Sequence, residues 1–183
     1  ETFSINSTDD PNGFRVTTKL DLTTPQFTVA GSTTLDVARN AQPRRFERQM
    51  KAGEREYKIV CRFDKGKVEA SITGAVNMQQ TIEIPADAFC FDNNLISSFA
   101  LICSQLELAE GAEPVTIRTF HPSTLQIIPL TFTVKQKTNL DWGGKTLPCW
   151  ECEVAPIRNT FFITTDGRLL KVTQGPLDIT LQP

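Results

Sequence analysis

Apolar and polar residues alternate with period two along most of this chain, and no other feature of its sequence constrains the fold as much. Phe14, Val16, Thr18, Leu20 and Leu22 share one face of an extended segment, and Phe27, Val29, Gly31, Thr33, Leu35 and Val37 repeat the pattern. Tyr57, Ile59, Cys61 and Phe63 form a third such face, with Glu56, Lys58 and Arg62 pointing the other way. The stretch Asp64-Lys65-Gly66 that follows has the glycine of a hairpin turn. Val68, Ala70, Ile72, Gly74, Val76, Met78, Ile82 and Ile84 then keep one parity across one long strand or two. Strands with one apolar face belong to antiparallel sheets covered on one side.

Further strands are expected over about 114–121, 125–135, 145–154, 158–165, 168–174 and 176–182. The Asp-Trp-Gly-Gly stretch at 141–144 and the Asp166-Gly167 pair are turn signals between them. Leu177, Ile179 and Leu181 alternate with Asp178 and Thr180, as a closing strand would. One segment breaks the rhythm. Leu95, Phe99, Ile102, Cys103 and Leu106 recur at helical spacing, behind Asp92 or Asn93 as N-cap, which predicts one amphipathic helix over about 93–108. The fold class expected is mainly β: a strongly curved antiparallel sheet, a half-barrel or open barrel, with that helix on its concave face. No repeat, low-complexity tract or linker interrupts residues 1–183, which read as a single domain.

A chain of 183 residues buries roughly 70% of its unfolded surface, enough to fold without metal or disulfides. The net charge of -2 is spread along the chain, so there is no basic stripe for nucleic acid. No apolar run reaches the roughly 18 residues of a membrane span. The first residues, Glu1-Thr2, suggest a removed leader or a segment of something longer.

Cys149 and Cys152 in "TLPCWECEV" raise the question of redox or metal chemistry. Residues three apart on a strand point to opposite faces, which places Trp150, Cys152 and Val154 on the apolar side and Cys149, Glu151 and Glu153 on the other. A redox pair opens a helix, and none follows; a zinc site needs a second matching pair. Cys61 and Cys103 fall on apolar faces and Cys90 stands alone, so structural thiols are the favoured reading, with a disulfide or a metal as alternatives. Cys149 is expected to be the most reactive strand cysteine unless a second sheet covers it. His121, the sole histidine, precedes a proline at a strand end and reads as a turn residue. The carboxylates Asp87, Asp92, Glu151 and Glu153 read as caps or solvated faces, and the glycines form no phosphate loop. No catalytic set, metal site or cofactor is expected.

The order of elements, and above all "GKTLPCWECEVAPIRNTFFITTDGRLLKVTQGPLDITLQP", resembles the bacterial half-barrel lipoprotein carrier and receptor family (LolA/LolB type) and related envelope domains. The resemblance implies a curved sheet, a periplasmic or extracellular location, no catalytic residues, and a lipid or lipoprotein acyl chain as partner. An apolar trough between helix and sheet would be lined by Tyr57, Ile59, Phe63, Leu95, Phe99, Ile102, Leu106, Phe132 and Trp150. The competing expectation is an interaction or accessory module of a larger surface protein or enzyme.

Overall fold

The computed structural model describes residues 2–8, 12–23, 28–75, 77–92 and 95–182. Phe27, Val76, Asn93, the Leu22 side chain and part of the turn at 10–13 lie outside the described residues. Strands make up 66% of the structure, which fixes the class as mainly β.

The first sheet holds β1 (Thr2–Ser7), β2 (Gly13–Thr23), β3 (Thr28–Ala38), β4 (Pro43–Ala52), β5 (Arg55–Asp64), β6 (Lys67–Thr73) and β7 (Met78–Glu83). It is an antiparallel meander in that order, each strand pairing with the next in sequence. After β8 (Phe89–Cys90) and α1 (Ile96–Cys103) come β9 (Val115–His121), β10 (Gln126–Trp142), β11 (Lys145–Ala155), β12 (Asn159–Thr164), β13 (Leu169–Gln174) and β14 (Leu177–Thr180). These strands form the second sheet in the order β14-β13-β12-β11-β10-β9-β8, where the β8–β9 pair is parallel. Among the described residues the end strands of neither sheet pair with each other, so neither sheet closes on itself.

Two hairpins show why the sequence turns where it does. Lys65 and Gly66 between β5 and β6 have φ of 42° and 83°, and Gly143 and Gly144 between β10 and β11 have 59° and 76°. Two successive residues in the left-handed region make the tight turn whose twist matches paired strands. The second pair lets β10 run to Trp142, past the expected end near residue 135.

The described chain forms two compact units, one of Glu1–Ser98 with Arg118–Ile128 and one of Phe99–Ile117 with Pro129–Pro183. In the first, Val16, Leu35, Val37, Ile59, Cys61 and Val68 are buried at the positions that alternation predicts, and Phe46 of β4 is buried with them. In the second, Phe99, Phe132, Val154, Phe161, Ile163 and Val172 are buried, and Phe161 stands edge-on to Phe99 (4.8 Å) and Phe132 (5.9 Å).

Of the two alternatives for segment 68–84, one long strand or two, the structure has two strands, β6 and β7. Strand β4 was absent from the sequence reading because Arg48 occupies a core-facing position between Phe46 and Met50, which hides the alternation. The helix is shorter than 93–108. Beyond Cys103 the backbone tightens to Gln105 N→Ile102 O and Leu106 N→Cys103 O bonds, while Gly167 packs so close that a Cβ there would lie 2.9 Å from the Cys103 carbonyl.

Candidate functional site

Alternation in the first sheet leaves a second face whose rows are almost wholly polar. One row crosses all seven strands in register: Asn6, Arg15, Asp36, Arg45, Arg62, Glu69 and Thr81. Arg15 holds Asp36 through two bonds of 2.6 and 2.9 Å. Arg45 bonds Glu47 at 2.6 Å, and Lys58 meets the same carboxylate at 2.5 Å. These two cations hold the Glu47 carboxyl below its ordinary range, with the Lys58 bond the larger cause. Arg62 stands directly opposite Arg45, an arrangement of like charges that opposes pairing. Neither Arg62 nor its other neighbour Glu69 makes a side-chain hydrogen bond or ion pair with the described residues.

Over these strands lies a cavity of about 510 Å³, lined by Arg45 and Arg62 together with Val60, Glu69, Ser71 and Gln79. Its volume is that of a small-molecule site, roughly 300–1,000 Å³. The floor offers one uncommitted guanidinium, a carboxylate, a hydroxyl and amides around Val60, so it can bind a polar, charged group but has no nucleophile–base pair. Sequence reasoning passed over these residues because each reads as the solvated side of a strand. No signal in the sequence separated Arg62 from Glu56 and Lys58, which share its face of β5.

A second polar group lies inside the same unit. Arg48 and Asp92 are both buried, with Arg48 Nη1 donating to Asp92 Oδ2 at 2.7 Å. Ser123 donates to the same oxygen at 2.9 Å, and Arg48 Nε donates to Thr33 Oγ1 at 3.2 Å. His121 ends β9 as expected, and its Nδ1 accepts from the Thr124 backbone N–H at 3.3 Å. Burial pushes its pKa below the ordinary histidine value, against the opposing pull of Asp92. Asp87 is exposed and paired with Arg118, which lowers its pKa.

The nine residues expected to line an apolar trough divide between the units. Ile59 and Leu95 are core residues of the first, Phe63 is half-buried edge-on to Phe120, and Tyr57 is 36% exposed. Phe99, Ile102 and Phe132 are core residues of the second, beside Trp150, with Leu106 half-buried. Trp150 is 7% exposed, yet its indole N–H has no hydrogen-bond acceptor. The Lys137 ammonium, cross-strand from it, lies 5.7 Å from the ring centre.

All five cysteines are free thiols and all are buried, including Cys149, which corrects its expected exposure on the Glu151 side. Burial pushes the thiols of Cys61 and Cys152 up to about 12 and raises those of Cys90, Cys103 and Cys149 as well. Cys149 and Cys152 are therefore ordinary members of β11, pairing Thr164 and Phe161 of β12. No group of three His, Cys, Asp or Glu side chains among the described residues is placed to hold a metal ion, and no helix is long and apolar enough to cross a membrane.

No curated protein matches the sequence. Several solved structures are similar in fold, two of them as follows. A β-barrel-like protein of the domain of unknown function DUF1849 from Brucella abortus has a TM-score of 0.57 and 15% identity, covering 96% of this chain and 81% of its own. A DUF1089 family protein from Pseudomonas aeruginosa has a TM-score of 0.53 and 10% identity, covering 100% of this chain and 91% of its own. Residues 1–174 match the family described as "Protein of unknown function (DUF3108)". This two-sheet chain thus belongs to the DUF3108 family.

Proposed function

We propose that the chain is a non-enzymatic, extracytoplasmic binding domain that takes a ligand bearing a carboxylate or phosphate in the cavity over β4–β7. The observation that carries this reading is Arg62, whose guanidinium faces Arg45 across the strand pair without an acid of its own. A bound anion would relieve that repulsion and accept the planar fork of donors that an arginine presents. The non-enzymatic part is supported by the commitments of the reactive groups. Ser123 is bonded to Asp92, and the His121 Nδ1 accepts from Thr124. A location outside the cytoplasm rests on the resemblance of the C-terminal third to envelope carriers. Titration with inorganic phosphate and with succinate, followed by calorimetry, tests the site. Binding by the wild type that disappears in Arg62→Gln, with unchanged unfolding, supports it; equal heats in both proteins, or none in either, overturn it.

A second reading keeps a lipid or lipoprotein acyl chain as ligand, and Trp150 favours it. A buried indole N–H without an acceptor carries a desolvation cost that an ester or carboxylate oxygen would remove. In a Trp142→Phe protein Trp150 is the remaining tryptophan of the two, and a fatty acid bound there shifts its emission.

A further inference from the structure

Strand β7 ends the first sheet and, among the described residues, pairs only with β6, so one row of its backbone donors and acceptors has no described strand beside it. Exposed strand edges template pairing with another chain, and proteins usually blunt them with lysine, proline, a bulge or a covering element. Among the described residues β7 carries, of these devices, only the charge of Glu83 at its last position. Its sequence from Met78 to Ile82 is uncharged, its pairing with β6 runs without a register shift, and most of its residues are exposed. Met78 is 38% exposed, an apolar side chain at the start of an open edge.

We propose that β7 is a self-pairing edge, and that two copies of this chain join their first sheets through it, antiparallel about a two-fold axis at Gln80. A two-fold axis perpendicular to the sheet keeps each face on its own side, so residues facing each other across the axis must share parity. Centring it on Gln80 sets Gln80 against its own copy, Gln79 against Thr81, and Met78 against Ile82. Each contact is complementary: amide with amide, amide with hydroxyl, apolar with apolar. No charge faces a like charge. A head-to-tail joint between different edges would grow without closing, whereas this one closes at two copies. Gln79 and Thr81 also line the cavity over β4–β7, so the joint would bring the two cavities together across the axis. The interface itself does not depend on what that cavity binds.

Sedimentation of the whole chain over a range of concentrations tests the proposal, and three proteins make it specific. The wild type is expected to be a dimer. Gln80→Lys puts two ammonium groups face to face at the axis and should raise the dimer Kd about tenfold, equivalent to about 1.4 kcal/mol. Gln80→Glu should weaken it likewise, and an equimolar mixture of the two variants should recover the dimer through opposite charges. Gln80 is exposed, and a circular dichroism spectrum matching that of the wild type shows that each variant is folded. A wild type that stays monomeric at the highest attainable concentration overturns the proposal. So does a dimer indifferent to both substitutions, or a mixture no tighter than its components.

Discussion

The guanidinium of Arg48 sits inside the first unit with its charge balanced by Asp92, its Nε donating to Thr33 and its Nη1 also to Ser123. A buried ion pair adds little over apolar packing, but removing one partner strands the other charge away from water. Arg48→Ala is therefore expected to lower stability by about 3–5 kcal/mol, read as a drop in the urea midpoint. A midpoint within experimental error of the wild type would mean that water reaches Asp92. Sequence reasoning met Asp92 and His121 separately and read Asp92 as a cap or solvated carboxylate, whereas it is buried against Arg48. Their cluster was not legible. Arg48 and Asp92 are 44 positions apart and Asp92 and Ser123 are 31 apart, and only sheet register and the chain path after β8 bring them together.

Period two was legible strand by strand wherever one face was consistently apolar, as in β2, β3 and β5. It failed at β4, where the inward positions read Phe46, Arg48 and Met50, and at β1, most of whose residues are exposed. The polar cavity was illegible for the complementary reason: its residues obey the alternation and look like an ordinary outward face. Gly31 shows what alternation hides even where it succeeds. The sequence places it as a weak member of an apolar face, whereas in β3 it lies opposite Met50, and a Cβ there would fall 2.2 Å from the Met50 sulfur and 2.6 Å from the Gln49 carbonyl. Gly31→Ala should cost about 1–3 kcal/mol, since β4 must shift as well as the thioether. Adding Met50→Ala should not restore the wild-type midpoint, because the clash with the Gln49 backbone remains. Full recovery in that double variant would show that β4 is held less firmly than its register suggests.

At the scale of the whole chain, strands run from Thr2 to Thr180 with one helix between them among the described residues. What alternation does not encode is the grouping of those strands. The chain passes from one unit to the other after Ser98, after Ile117 and after Ile128, so neither unit is a continuous stretch of sequence. Residues 1–98 made alone lack Arg118–Ile128, which brings Phe120, His121 and Ser123 to the first unit. That fragment is expected to unfold without a cooperative transition, and mixing it with residues 99–183 should restore one, followed by circular dichroism in urea. A sharp transition in the isolated fragment would show that the later segment is dispensable.

The Arg48–Asp92 pair also sets a clock on the ribosome. At about 5–20 residues per second, the 44 residues separating the two take about 2–9 s to be synthesised. For those seconds β4 has emerged with its core-facing guanidinium unmatched by the acid it will meet, so the arginine keeps its water until a single carboxylate, rather than another apolar strand, comes to neutralise it.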